Sequence, residues 1–260
     1  MISTDEDVTG GEHLALKDMT LSISPREKVA ICGRSGSGKS SLILLLLRLL
    51  DPTSTSPALI TIDSLPLTRI PRRLLRTLIL AIPQDPVFLP GSNSFFLSNL
   101  DPLRLSSPEE AQSVLETVSL WPFVSSRGGL NAPMTGDTLS QGQKQLFSLA
   151  RAILRRRLRA KERQAVFGTG AEDGGILLLD EVSSSVDKDT DEQMQRIIMD
   201  EFRDYTIVMV SHRLGMVMGF DTVVVMEEGR IVETGKPTEL VEMEGSRFKD
   251  LWTIGKNGKS

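Results

Sequence analysis

One segment near the start of the chain has the spacing G-x-x-x-x-G-K-[ST]. Phosphate carries dense negative charge and needs several donors at short range, and glycines let the backbone curl so that successive N–H groups point inward. Lys39 would reach the outer phosphates, and the Ser40 hydroxyl would ligate Mg²⁺ at the start of a helix. The pattern favours a phosphate-binding loop over a plain glycine-rich turn. Its candidate residues are Gly33, Arg34, Ser35, Gly36, Ser37, Gly38, Lys39, Ser40 and Ser41.

Two adjacent carboxylates form a second candidate. The apolar run 176–179 predicts a buried strand that ends in Asp180 and Glu181, at the edge where ligands bind in open α/β sheets. Asp180 would hold Mg²⁺, directly or through water, and Glu181 would act as general base on an attacking water. Taken alone, such a strand end is equally consistent with surface helix caps. Together with the loop at 33–41, it indicates nucleotide chemistry.

Two further motifs each have a purely structural alternative. In the string 139–143, Ser140 and Gly142 precede a helix whose N-terminus is an anion site, but a simple N-cap by Ser140 explains the serine alone. His212, in Ser-His-Arg at 211–213, follows a short apolar run. Taken alone, it is better explained as a satisfied histidine at the end of a strand, so neither motif assigns a function alone.

The elements that must position these residues are predicted from periodicity. Short β-branched runs alternate with helical patterns, which is typical of an α/β fold with a mostly parallel sheet. We expect a half-buried strand at 14–24, where apolar and polar residues alternate, and a hairpin turn at Glu228-Gly229. The other predicted strands are 29–32, 59–62, 78–82, 176–179, 206–210, 222–226 and 230–234, and the predicted helices are 39–50, one from 107, one through 146–154, and 188–202.

Composition excludes several classes of protein. The chain has 260 residues, 40% apolar and 25% charged, with a single cysteine, so a disulfide framework and Cys-rich zinc sites are excluded. Its net charge of −4 gives no general case for nucleic acid. The longest apolar run, 42–47, is too short to cross a bilayer, and the acidic residues 1–11 do not form a signal peptide. The sequence therefore predicts a soluble domain of intracellular type.

A basic run at 151–163 has two interpretations. It is either a patch for nucleic acid or lipid, or a solvated helix end stabilised by the helix dipole, and the second is favoured. The following segment 165–175 is predicted to be a flexible insertion.

In order and spacing, these motifs resemble the nucleotide-binding domain of ABC transporters, over about residues 14–250. The strings 29–42, 181–187 and 226–235 further resemble the second such domain of subfamily C, the multidrug-resistance-associated exporters. The resemblance implies a P-loop NTPase core at 1–83 and 146–260, a small antiparallel β part, and an inserted helical subdomain at 84–145.

The resemblance also implies residue roles. Gln84 would contact Mg²⁺, together with Ser40 and Asp180, and would sense the membrane domains. His212 would contact the γ-phosphate and Glu181 would be the catalytic base. The signature Ser140, Gln141, Gly142 and Gln143 would clamp the ATP held by an opposing domain, and the loop 183–187, with Ser185 and Asp187, would cross the dimer interface.

The implied activity is ATP hydrolysis with Mg²⁺ that drives export across a membrane. The partners would be a second nucleotide-binding domain, in a head-to-tail ATP sandwich, and the transmembrane domains of an exporter, with no nucleic acid. The domain would lie on the cytoplasmic face of the membrane in a full transporter and would be cytoplasmic as an isolated chain. A soluble ABC protein acting on DNA or ribosomes is disfavoured, because neither coiled-coil insertions nor a second ATPase domain is present.

Three departures from the family pattern are visible. Gln141 replaces the usual small or apolar residue, and the stretch 155–175 is long, which predicts a surface excursion. No aromatic residue precedes Phe88, although the family stacks adenine on one upstream of the loop. Stacking is worth about 1–3 kcal/mol, so its loss would weaken ATP binding roughly 5- to 150-fold unless His13 substitutes. The favoured explanation is a truncated start, and the alternative function is a nucleotide-binding or dimerisation module that does not hydrolyse ATP.

Overall fold

The computed structural model describes residues 14–52, 60–90, 94–168, 173–180, 187–211 and 214–257. Its strands are β1 Lys28–Cys32, β2 Thr61–Ile62, β3 Leu65–Pro66, β4 Ile79–Ile82, β5 Ile176–Asp180, β6 Thr206–Val210, β7 Thr222–Glu227 and β8 Arg230–Gly235. Six of them form a central sheet in the order β4-β5-β6-β1-β7-β8, in which only β8 is antiparallel to its neighbour. A separate antiparallel pair is formed by β2 and β3. The predicted α/β class with a mostly parallel sheet is confirmed.

Helices cover both faces of the sheet. They are α1 Lys39–Leu46, α2 Arg72–Leu78, α3 Phe96–Leu100, α4 Pro108–Thr117, α5 Trp121–Ser126, α6 Gln141–Phe167, α7 Lys188–Glu201, α8 Leu214–Val217, α9 Pro237–Leu240 and α10 Arg247–Asn257, with a 3₁₀ turn at Leu67–Arg69. In the described part of the chain, none of them combines the length and apolarity needed to cross a bilayer.

The inner strands β1, β5, β6 and β7 are apolar on both sides because both sides are covered. Along β1, Ala30 and Cys32 belong to the core cluster that includes α6, whereas Val29 and Ile31 belong to the cluster that includes α1. This division follows from the alternation of side chains along a strand. The central strand is thus held from both faces, and its carboxyl end delivers the loop at 33–41 in a fixed position.

The structure confirms the predicted start of one helix and the predicted turn of one hairpin. Ser107 caps α4 in a capping box with Glu110, and Pro108 occupies the first turn. Glu228 and Gly229, both with positive φ, form the tight turn between β7 and β8. Such turns need positive φ at both central positions, which glycine adopts at no steric cost.

Helix α1 ends earlier than predicted. The expected end was residue 50, but the helix stops at Leu46 and Arg48 adopts a left-handed conformation with φ of 53°. The Arg48 guanidinium donates to the Ile70 carbonyl oxygen at 2.7 Å. The chain reversal at Arg48 and this long-range anchor end the helix, although no local helix breaker precedes residue 51.

The strand predicted at 14–24 is wrong. The expected alternation is present in burial, since Leu16, Met19, Leu21 and Ile23 pack against the cluster around α1. The Lys17 N–H donates to the Gly229 carbonyl oxygen at 2.8 Å, but among the described residues no ladder with a neighbouring strand forms. The segment is therefore an extended cover rather than a strand.

The predicted insertion at 165–175 also needs correction. Residues 165–167 continue α6, which is 27 residues long, and Val166 and Phe167 are exposed at its end. Residues 169–172 lie outside the described residues. The division into core and inserted subdomain stays a prediction, and its proposed boundary at 145/146 lies within α6.

Candidate functional site

The loop between β1 and α1 is open to solvent at its tip and closed at its base. Arg34, Ser35 and Gly36 are exposed, whereas Ser37 is 4% exposed. The Ser37 N–H donates to the Arg34 carbonyl oxygen at 3.2 Å, and the Ser37 carbonyl oxygen accepts from the Gly229 N–H at 3.1 Å. The tight turn and the hairpin behind it fix a curled backbone that faces solvent.

Two glycines of this loop are required by close approaches of other backbone segments. A Cβ on Gly33 would lie 2.3 Å from the Met226 carbonyl oxygen. Gly38, which caps α1 with φ of 99°, would place a Cβ 2.6 Å from the Ala15 carbonyl oxygen. Neither position accepts a side chain without backbone movement, so the curled path depends on glycine.

Lys39 lies under this loop. It is 5% exposed, and its Nζ donates to the carbonyl oxygens of Gly33 and Arg34, both at 2.9 Å. A third contact, at 3.4 Å, joins Nζ to the Ser37 hydroxyl. An ammonium group is therefore held inside the curve of the loop, while Ser40, in the first turn of α1, is exposed.

The single cysteine lies directly beneath the loop. Cys32 is fully buried, and burial raises the pKa of its thiol to about 12, against the opposing effect of Lys39. The neutral thiol is therefore a small packing group rather than a nucleophile.

Strand register brings the remaining candidates to the same edge as the loop. Ile82 of β4 pairs with Leu179, and Asp180 pairs with Val210 of β6. Val210 also pairs with Ile31 of β1. The parallel strands β1, β4, β5 and β6 thus end together, which places the loop at 33–41, Gln84 and Asp180 along one edge. Ser40, Gln84 and Asp180 supply oxygen atoms of the kind that Mg²⁺ prefers.

Several predicted residues lie outside the described residues: Glu181, Ser185 and His212. Asp180 and the buried Ser211 lie immediately before two of them, at the carboxyl ends of β5 and β6. The roles predicted for these three residues stay predictions.

The segment 83–90 that follows β4, called the Gln84 loop below, is held by two residues to which the sequence assigned no role at the site. The Gln84 carbonyl oxygen accepts from Gln145 Nε2 at 2.6 Å, and the Val87 carbonyl oxygen accepts from Arg151 Nη1 at 2.6 Å. The Arg151 guanidinium also lies 4.9 Å from the centroid of the Phe88 ring. The available signal was a glutamine and an arginine on the apolar stripe of α6. Their contacts fasten the Gln84 loop to the helix that begins after Ser140.

The signature segment begins α6 with a reciprocal cap. The Gln143 N–H donates to Ser140 Oγ at 3.3 Å, and the Ser140 N–H donates to Gln143 Oε1 at 3.0 Å. Leu139 is buried, whereas Ser140 and Gln141 are exposed. The N-cap explanation is therefore confirmed, and a clamp on the ATP of an opposing domain stays a prediction.

Asp187 has a comparable capping role at α7. Its carboxylate accepts from the N–H and the hydroxyl of Thr190, at 3.0 and 2.8 Å. These hydrogen bonds, first that of the Thr190 N–H, hold the pKa of Asp187 below its usual value. The carboxylate is exposed, and its predicted place at a dimer interface stays a prediction.

Comparison with known proteins gives a consistent result. A model of the ABC transporter family matches residues 16–158. The chain is 59% identical over 244 residues to the ABC-type transporter braE of Annulohypoxylon truncatum, covering 94% of this chain and 16% of that protein. It is 54% identical over 252 residues to the ABC transporter FGM5 of Gibberella zeae, covering 96% and 17%.

A solved structure has the same fold. The structure of a bacterial Atm1-family ABC exporter with ATP bound aligns with a TM-score of 0.77 and 24% identity, over 92% of this chain and 39% of that chain. The predicted P-loop NTPase fold is thereby confirmed.

The chain belongs to the ABC transporter family and is a nucleotide-binding domain homologous to part of the fungal transporters. It spans about a sixth of the length of these two relatives.

Proposed function

We propose that this domain binds ATP with Mg²⁺ and hydrolyses it, as the second nucleotide-binding domain of a subfamily C-type exporter. The observation that carries the proposal is the buried Lys39 ammonium inside a solvent-facing glycine loop, at the sheet edge shared by Gln84 and Asp180. This cradle suits the phosphates of a nucleotide, and the oxygen-bearing side chains suit Mg²⁺.

Each residue has a distinct task in this proposal. Lys39 would leave its two carbonyl partners for the outer phosphates, and the N–H groups of 34–40 would orient them. Bound Mg²⁺ would neutralise phosphate charge, held by Ser40, Gln84 and Asp180. Glu181 would take a proton from the attacking water, with His212 at the γ-phosphate. Phosphoryl transfer requires mainly such positioning and charge stabilisation.

The site is completed by partners in this proposal. Ser140, Gln141, Gly142 and Gln143 would act on the ATP of a second nucleotide-binding domain, and the loop with Ser185 and Asp187 would lie between the two domains. Transmembrane domains would couple hydrolysis to export, with this domain on the cytoplasmic face. Two chains must then meet for turnover, so activity per chain should rise with chain concentration.

A second candidate is a domain that binds nucleotide without turnover. The observation that favours it is that residues 1–87 include no aromatic side chain, so these residues offer no stacking platform for adenine.

Exchange of the proposed base separates the two candidates. We expect Glu181→Gln to keep ATP binding and to abolish phosphate release, because the amide cannot accept the proton. Lys39→Ala should instead weaken ATP binding, measured by titration of a fluorescent ATP analogue. Lys249→Ala serves as control, since that half-buried lysine also donates to a carbonyl oxygen. Undiminished turnover in Glu181→Gln contradicts the base assignment, and no turnover in any form favours the second candidate.

A further inference from the structure

The basic run on α6 divides into two faces. On one face, Arg156 and Arg157 both pair with Glu201 of α7, at 2.8 and 2.6 Å, and Arg156 also pairs with Asp173 at 2.9 Å. These side chains are partly buried and neutralised within the fold. This face therefore needs no external partner.

The other face carries an unneutralised stripe. Arg151, Arg155 and Arg159, one turn apart, line a pocket of about 300 Å³ together with Arg76 of α2. The outer strand β4 forms its floor. None of its lining residues is acidic, and in the described part of the chain none of these four arginines forms an ion pair. Four positive charges thus surround one open pocket.

The donors of Arg155 remain available in this pocket, because Arg155 makes no hydrogen bond with a described residue. Arg159 donates to the Arg76 carbonyl oxygen at 3.1 Å and also forms a side-chain hydrogen bond with Tyr205. Burial above all lowers the pKa of the Arg159 guanidinium, and its neighbours Arg155 and Arg163 lower it further, whereas Tyr205 raises it. An anion in the pocket would relieve this repulsion and use the idle N–H groups.

The pocket is separate from the phosphate loop. Strand β4 lies at the edge of the sheet, and β5 and β6 stand between it and β1. Three strand spacings correspond to roughly 14 Å. A ligand in this pocket would therefore be a second one, distinct from ATP at the loop.

We propose that the pocket lined by Arg76, Arg155 and Arg159 binds a phosphate group, carried by a small phosphorylated molecule or by a lipid headgroup. Phosphate monoesters carry more than one negative charge, and guanidinium forks match their oxygens in pairs. A carboxylate would leave more of the charge unbalanced. The pocket's volume suits one phosphate-bearing group rather than a nucleic-acid backbone, which needs an extended basic track.

The test uses the whole chain with Lys39→Ala as background, so that the phosphate loop does not contribute. Two probes are titrated by calorimetry: inorganic phosphate, and phosphatidylcholine vesicles that contain phosphatidic acid. Arg155→Gln/Arg159→Gln in this background should weaken binding by about tenfold or more, because charged hydrogen bonds are lost. Arg155→Lys/Arg159→Lys should retain part of the affinity. Thermal unfolding confirms that each variant folds.

The matched control is Arg196→Gln/Arg203→Gln, which removes the same charge from exposed sites outside the pocket. Its affinity should equal that of the background. Binding of vesicles alone identifies a lipid headgroup, and binding of free phosphate identifies a small phosphorylated molecule; both support the proposal. It is overturned if the background binds neither probe, or if the Gln pair and the control bind equally.

Discussion

Two separate factors exclude a side chain at Gly38 of the loop. Its left-handed conformation already disfavours a side chain, and the Ala15 carbonyl oxygen occupies the space that a Cβ would fill. Gly36 has positive φ as well, but nothing lies within 4 Å of its Cβ position. A side chain at Gly36 would therefore meet only the strain of the left-handed conformation, whereas a side chain at Gly38 would also clash with backbone.

We expect Gly38→Ala to lower the free energy of unfolding by about 2–4 kcal/mol and to weaken ATP binding, since strain and a backbone clash add. Gly36→Ala should cost only about 1–2 kcal/mol, for the left-handed conformation alone. Urea unfolding followed by circular dichroism measures both. Equal losses in the two variants would show that the Ala15 contact has no role.

Cys32 gives a prediction about pH. Because its thiol pKa is raised from 9.0 to about 12, the folded state retains a proton that the unfolded state releases above pH 9. The thiol's contribution is therefore complete below pH 9 and is lost as the pH rises from 9 to about 12, by up to about 1.4 kcal/mol per pH unit.

The measurement is urea unfolding from pH about 8 to about 10, in the wild type and in Cys32→Ala. The wild type should lose stability more steeply, and the difference between the slopes isolates the thiol from the titrating lysines. Parallel slopes would mean that the Cys32 thiolate is tolerated in the folded state.

Helix α6 joins two parts of the proposed site. It begins directly after the signature Ser140, and about one and about three turns later Gln145 and Arg151 hold the backbone of the Gln84 loop. Arg151 also donates to the Asn99 carbonyl oxygen at 2.6 Å, and Asn99 Oδ1 accepts from the Leu89 N–H. The Gln84 loop, α3 and α6 are thus joined by hydrogen bonds to backbone atoms.

We expect Gln145→Leu to change the free energy of unfolding by less than about 1.5 kcal/mol, because it removes one hydrogen bond but also a buried amide oxygen without a partner. It should weaken the Mg²⁺ dependence of ATP binding more strongly, because the Gln84 loop loses its tether. The same exchange at the exposed Gln164 of α6 is the control. An unchanged Mg²⁺ dependence in Gln145→Leu would assign the hydrogen bond to stability alone.

The parts of the site that the sequence predicts are those set by local chemistry. Glycines and Lys39 at fixed spacing determine the loop, and the apolar run of β5 determines where Asp180 lies. The end of α1 at Arg48 and the tether by Gln145 depend on partners far along the chain, 22 and 61 residues away. The extended segment at 14–24 has the period of a strand, but a period specifies burial and not a hydrogen-bonded neighbour.

At the scale of the molecule, Glu201 connects α7 to the basic run on α6. Its carboxylate receives Arg156 and Arg157, and all three side chains are at most 30% exposed. Removing one member of a partly buried cluster leaves the others without a counterion. The pair of Lys188 and Glu192, at 3.4 Å, is far more exposed and forms within one helix.

We expect Glu201→Gln to lower the free energy of unfolding by about 1–3 kcal/mol, because two guanidiniums lose their shared counterion. Lys188→Gln should produce no measurable change, since exposed pairs contribute little. Thermal and urea unfolding of both variants provide the measurement. Equal stability of Glu201→Gln and the wild type would show that water replaces the carboxylate at no cost.

The contact between Ser37 and Gly229 has a consequence for biosynthesis. The loop's backing is formed by the Ala15 segment and by a hairpin near the far end of the chain, joined by hydrogen bonds from Gly229 to Ser37 and from Lys17 to Gly229. When the ribosome has translated the loop motif, it must still add almost two hundred residues before it reaches Gly229, which supports the loop. The emerging polypeptide therefore completes the support of this loop only after the β7–β8 hairpin has also been synthesised.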